Sequence, residues 1–204
     1  DANTNTVVNT VTVGTTPRTV VATPNKDFVF TLNNGSSTVS IIDVHSNATT
    51  AVTTLPVGAE PIFVAFTPDS SKAYITNEFS NNVTVINQNS TTGAYQVLTT
   101  ISTGIGVGPG SISITPDGTK AYVANAGSDN VSVISTATNT VIATIPVGTQ
   151  PIGLAVSPDG TKVGVINELS NTVSVISTAT NTVIATIPVG TAPSDGAFTP
   201  NGKY

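Results

Sequence analysis

Fifteen consecutive residues occur twice without a change. Ser135 to Thr149 reads STATNTVIATIPVGT, and Ser177 to Thr191 reads the same, at an offset of 42 residues. Around this core, Pro116-Asp117-Gly118-Thr119-Lys120 matches Pro158-Asp159-Gly160-Thr161-Lys162, and weaker copies stand at Pro68, Pro24 and Pro200. With the proline that opens each unit as a ruler, repeats begin at Pro17, Pro61, Pro109, Pro151 and Pro193, spaced by 44, 48, 42 and 42 residues. A unit of this length cannot bury its apolar face alone and has to stack on its neighbours. Helical repeats of similar period need Leu/Ala-rich 3.6-residue periodicity, which is missing here. Four strands in about 40–45 residues is the blade of a β-propeller.

The strands of one unit can be read directly. In the third, Ser111–Thr115 reads as an inner strand and Pro116-Asp117-Gly118 as a tight turn, with proline presetting φ and glycine taking positive φ. Ala121–Ala124 reads as the second strand, Asn125–Asp129 as a polar loop, Asn130–Ile134 as the third strand and Thr140–Val147 as the outer one. The alternation Val131-Ser132-Val133 is the period-two signature of a strand with unlike faces, its apolar side turned to the neighbouring blade. The fold class is all-β, with four complete repeats at 17–60, 61–108, 109–150 and 151–192. An outer strand is expected within 1–16 and a partial fifth repeat at 193–204, so the chain is either an arc of a longer ring or leaves a blade edge for a partner to pair.

Composition narrows the function classes. Only 8% of the 204 residues are charged, with a net charge of −5 and a pI near 4.4, while mean hydropathy is +0.22. Burial therefore carries the fold, and Thr, Ser and Asn cover the surface. Nucleic acid is excluded as a partner, because phosphate recognition needs clustered Lys and Arg, whereas the six cations here are scattered. No apolar run approaches the ~18 residues that span a bilayer. Cysteine is absent, which removes disulfides, thiolate chemistry and Cys metal sites. Absent cysteine, scarce lysine and Thr/Asn richness together point to an extracellular or cell-surface location. Sequons for glycosylation stand at Asn34, Asn47, Asn82, Asn89 and Asn130.

Ala73-Tyr-Ile-Thr-Asn77 and Ala121-Tyr-Val-Ala-Asn125 are followed by Ser-Asn-Asn-Val-Thr-Val-Ile and Ser-Asp-Asn-Val-Ser-Val-Ile. These segments resemble the YVTN β-propeller repeats of archaeal surface-layer and bacterial secreted proteins, over essentially the whole chain. The resemblance implies a ring of about seven blades. The first repeat departs from it, with Phe30-Thr-Leu-Asn33 in place of the tyrosine strand. Related propellers include lactonase-like and quinone-associated proteins, so the resemblance leaves function open.

The inventory for catalysis is thin. His45 is the one histidine and falls in a strand-end turn; Asp69, Asp117 and Asp159 share one turn position and read as side chains bonded to nearby amides. No EF-hand, His-x-x-x-His or phosphate-loop pattern occurs, and Gly104-Ile-Gly106-Val-Gly108 reads as a flexible inter-blade loop. The units differ most in the loop after the second strand, which shares a face with the linker into the next blade. That face would display Asn33, Asn77, Asn125 and Asn167, with Glu78-Phe79 and Glu168-Leu169 breaking an otherwise uniform pattern. The four asparagines would either satisfy loop backbone groups or form a ring of amides able to bind a sugar or cation. Phe79 and Leu169 are either binding contacts or plugs between blades. Taken together, the residues point to a non-catalytic propeller for structure, adhesion or assembly, with no cofactor and a protein partner or self-association. The alternatives are a lactonase-like or quinone-associated enzyme and a carbohydrate-binding lectin.

Overall fold

The computed structural model describes residues 4–7, 9–45, 51 and 53–202. The strands of the described residues form four four-stranded antiparallel sheets, each a simple meander. The first holds β1 (Pro17–Ala22), β2 (Phe28–Asn33), β3 (Thr38–Asp43) and β4 (Thr53–Pro56). The second holds β5 (Pro61–Phe66), β6 (Lys72–Asn77), β7 (Asn82–Gln88) and β8 (Tyr95–Ile101). The third holds β9 (Pro109–Ile114), β10 (Lys120–Asn125), β11 (Asn130–Ser135) and β12 (Thr140–Pro146). The fourth holds β13 (Pro151–Val156), β14 (Lys162–Asn167), β15 (Thr172–Ser177) and β16 (Thr182–Pro188). First strands of successive sheets pack side by side, so β1, β5, β9 and β13 line the inner edge of an arc of blades.

The core lies between blades rather than within them. Phe30, Leu32, Val39 and Ile41 pack on Val64, Ala73 and Ile75; Tyr74, Val83 and Val85 pack on Ile112, Ala121, Val123 and Ile134; Tyr122, Val131 and Val133 pack on Val163, Val165 and Ile176. The alternating polar positions do not face water. Ser40, Thr84, Ser132 and Ser174 are buried as well, each taking a hydrogen bond from an asparagine of the neighbouring second strand.

Tyrosine on the second strand locks blade to blade at the face of the first turns. Tyr74 Oη donates to Asn139 Oδ1 at 2.6 Å and Tyr122 Oη to Asn181 Oδ1 at 2.9 Å. Phe30 takes this place in the first blade and meets Tyr95 edge-on, centroids 5.1 Å apart. Gly164 takes it in the fourth, and there the Phe198 ring lies 3.6 Å from where a Cβ would stand. An apolar cavity of about 400 Å³ flanks this glycine, lined by Ile166, Val173, Val175, Ile187 and Phe198 among others.

Among the described residues of 1–16 there is no strand beyond an isolated bridge at Thr12, and none among those of 193–204. In each sheet the third strand is paired with the fourth, β3 with β4, β7 with β8, β11 with β12 and β15 with β16. Each of the four sheets has its four strands. No helix among the described residues is long and apolar enough to cross a membrane.

Candidate functional site at the linker face

Two kinds of segment emerge on one face: the loop between second and third strands, and the linker from one blade into the next. Backbone hydrogen bonds tie them together. Glu78 N donates to Glu60 O, Ala126 N to Gly108 O, and Glu168 N to Gln150 O, each at 3.0 Å. A serine on each loop then accepts from the linker: Ser80 from Ala59 N at 2.7 Å and Ser170 from Thr149 N at 3.0 Å, with Ser36 and Ser128 in the same role. The preceding blade holds the linker from its other side. Asn81, Asp129 and Asn171 accept from Gly108 N, Gln150 N and Ala192 N, all at 2.8 Å. The linker face is therefore a rigid scaffold, where preorganised binding groups can be mounted.

The residue before each repeat proline is left-handed, at φ of 52° for Glu60 and 54° for Gln150, with Thr16, Gly108 and Ala192 alike. Proline normally pushes its predecessor towards extended backbone. The carbonyl bonds just described, with Asn34 N donating to Thr16 O at 3.0 Å in the first blade, hold Thr16, Glu60, Gly108 and Gln150 there, and repetition along the chain marks the geometry as architectural.

The four asparagines of the expected amide ring are fully buried. Asn33 Nδ2 donates to Ser40 Oγ, Asn77 Nδ2 to Thr84 Oγ1, Asn125 Nδ2 to Ser132 Oγ and Asn167 Nδ2 to Ser174 Oγ, each at 2.9 Å. They join second strand to third, and their Oδ1 atoms are buried without a hydrogen-bond partner. Over each amide lies a linker glycine. A Cβ on Gly58 would come within 2.8 Å of Asn77 Cγ, on Gly106 within 2.8 Å of Asn125 Cγ, and on Gly148 within 2.7 Å of Asn167 Cγ. The glycines at 104 and 106 thus serve close approach, Gly104 standing 2.9 Å from Val141 Cβ by the same measure, rather than flexibility. The Asn-x-x-Ser pattern on the loop and the Val-Gly pair on the linker carried this clamp in the sequence, and only the fold shows that they meet.

The remaining loop residues do reach the surface. Phe79 is 71% exposed and Leu169 66%, so neither plugs a blade junction. Glu60, Glu78 and Glu168 are half-buried, and the contact between His45 Nε2 and Asp27 Oδ1 at 3.2 Å lies elsewhere. His45 belongs to the opposite face with the first turns. There Asp69, Asp117 and Asp159 bond to nearby hydroxyls and amides as expected. The Ser157 hydroxyl and the Thr161 amide pull Asp159 down to about 2, and the Thr115 hydroxyl with the Thr119 amide lowers Asp117 likewise. The Asp side chains of these turns are structural.

Among the sequons, Asn34 Nδ2 is buried, and Asn130 spends Nδ2 on Ser128 O at 3.0 Å. Asn82 Oδ1 accepts from Asn77, and Asn89 Oδ1 caps its own turn by accepting from Thr91 N. Asn47 lies outside the described residues. No group of three or more His, Asp or Glu side chains able to hold a metal occurs among the described residues.

An arc of four-stranded blades with inner first strands and a rigid linker face defines a β-propeller. The family model described as Lactonase, 7-bladed beta-propeller matches residues 20–195, and the chain belongs to that family. Kuenenia stuttgartiensis hydrazine synthase superposes with a TM-score of 0.83 at 25% identity, over 98% of this chain and 56% of that one. A Pseudomonas aeruginosa periplasmic gluconolactonase gives 0.71 at 25% identity, over 88% and 55%. A Bacteroides fragilis protein with a provisional 6-phosphogluconolactonase name gives 0.72 at 22% identity, over 87% and 56%, and shows the fold alone. The chain thus spans little more than half the length of these structures. No curated protein matches it.

These findings overturn the expectation of a non-catalytic structural or adhesive protein, since the family is one of lactonases. They support a propeller family and not the surface-layer group that the YVTN-like segments resemble. Poverty in His, Arg and Cys does not exclude such chemistry, since opening an activated ester needs neither thiolate nor imidazole: a placed carboxylate can act as the base.

Proposed function

We propose that this chain is part of a sugar lactonase and that hydrolysis takes place at the linker face. The observation that supports this most strongly is membership of the lactonase propeller family over residues 20–195. In the reaction, water adds to the ring carbonyl carbon and the ring C–O bond breaks. A carboxylate takes the water proton, which passes to the departing ring oxygen.

Glu60 is the candidate base. It stands on the linker into β5, one of the first strands that line the inner edge, and the matching linker positions hold Thr16, Gly108, Gln150 and Ala192. Glu78 and Glu168, one loop outward, would position hydroxyl groups of the ligand. We also propose an extracytoplasmic location, resting on the absence of cysteine and the Thr/Asn-rich surface; recovery of the native protein in the cytosolic fraction would refute it.

The test is proton release from glucono-δ-lactone above its spontaneous rate, for wild type and Glu60→Gln. General-base catalysis is worth roughly 10²–10⁴-fold, so Glu60→Gln should lose at least about 100-fold in kcat with its fold retained. Activity unchanged in that variant would remove Glu60 from the mechanism.

A further inference from the structure

Charge is sorted by face. Lys72, Lys120 and Lys162 open second strands and Lys26 lies in a first turn, so all four described lysines belong to the face opposite the linkers. Two are committed there: Lys72 Nζ donates to Thr136 O and Lys120 Nζ to Thr178 O, both at 2.6 Å. The linker face carries Glu60, Glu78, Asp129 and Glu168, with Arg18 as its cation among the described residues.

A second observation concerns the backbone. An anion with no cation nearby can still be held by free N–H groups. Here Glu78 N, Ala126 N and Glu168 N are spent on linker carbonyls, while Gln150 N and Thr149 N are spent on Asp129 and Ser170. The face is left with acceptors, the Glu carboxylates, beside the exposed apolar groups Phe79, Leu169 and Val107. Acceptors beside apolar surface suit a ligand made of hydroxyl donors and C–H faces. A phosphate monoester, carrying about −1.5 to −2 charge, would meet the carboxylates of Glu60, Glu78, Asp129 and Glu168, with Arg18 the one described cation of that face to offset them.

We infer that the site, if the lactonase reading holds, takes an uncharged sugar lactone and discriminates against its phosphorylated counterpart. The test is kcat/KM of the wild-type protein for glucono-δ-lactone and 6-phosphoglucono-δ-lactone at low and at physiological salt. The unphosphorylated lactone should be preferred by at least about 10-fold at low salt. The gap should narrow as salt screens the carboxylates within a Debye length of about 8 Å. In Glu78→Gln/Glu168→Gln the phosphorylated lactone should gain relative to the other. Equal or better use of the phosphorylated lactone, or a preference indifferent to salt, overturns the inference and leaves the lactonase reading standing. Turnover of neither lactone removes the lactonase reading and this inference together.

Discussion

Replacing Gly148 by alanine probes the clamp that makes the linker face rigid. The added Cβ would meet Ser170 Oγ and lie 2.7 Å from both Cγ and Nδ2 of Asn167, contacts that real Cβ atoms do not make. Asn167 cannot retreat cheaply, since its Nδ2 bonds Ser174 Oγ at 2.9 Å inside a buried site. The linker has to lift instead, which strains the bond from Thr149 N to Ser170 Oγ. Overpacking of this kind costs typically 1–3 kcal/mol. With the serine bond weakened, a loss of about 2–3 kcal/mol is expected, or a fall in Tm of roughly 5–10 °C for a chain of this size. An internal control exists: Gly190 holds the same place in the repeat, and a Cβ there meets nothing within 4 Å. Gly190→Ala should be neutral or stabilising by up to about 1 kcal/mol, through loss of unfolded-state freedom. Both variants are compared by urea and thermal unfolding of the 204-residue chain. Equal effects at the two positions would refute the close-approach account of these glycines.

Two further expectations follow from the opposite face. Tyr122→Phe leaves Asn181 Oδ1 without its donor and should cost about 1 kcal/mol in urea unfolding, and it should also soften the alkaline limb of stability. Burial pushes the Tyr122 phenol up to about 12, so its contribution is whole below the ordinary value of 10 and is lost as pH rises through that window. A wild-type Tm that stays flat between pH 10 and 12 would contradict this. At the acid end, Asp69, Asp117 and Asp159 are held below the ordinary carboxylate range by hydroxyl and amide donors. Their stabilisation is present above that range and disappears as pH falls towards 2. Asp117→Asn, which keeps an acceptor oxygen, should stay folded at pH 7 and lose less Tm than wild type between pH 4 and pH 2, as followed by circular dichroism.

The blades were legible because the repeat prints its own ruler: the prolines at 17, 61, 109 and 151 open β1, β5, β9 and β13. Strand alternation also located the inter-blade core, with Val131 and Val133 buried against the fourth sheet. Alternation alone could not show that Ser132 is buried too, because its partner, Asn125, comes from the neighbouring strand. The same gap affected the face with the linkers. In sequence, Asn33, Asn77, Asn125 and Asn167 read either as residues that satisfy loop backbone groups or as a displayed amide ring, and Glu78 and Glu168 as breaks in the pattern. In the fold the asparagines are buried fasteners, and the half-buried glutamates are among the polar groups left at the surface. Function was the least legible, since the carboxylate base proposed here leaves no spacing signature of the kind a triad or metal site does.

The central question is which face of the arc meets the ligand. Amide chemical-shift mapping of the isotope-labelled protein with gluconate, the hydrolysis product of glucono-δ-lactone, decides this directly. Shifts concentrated at Gly58, Glu60, Glu78, Gln150 and Glu168 are predicted. Shifts confined to the first turns around Asp69, Asp117 and Asp159, with the linkers silent, would contradict the assignment of the linker face as the site.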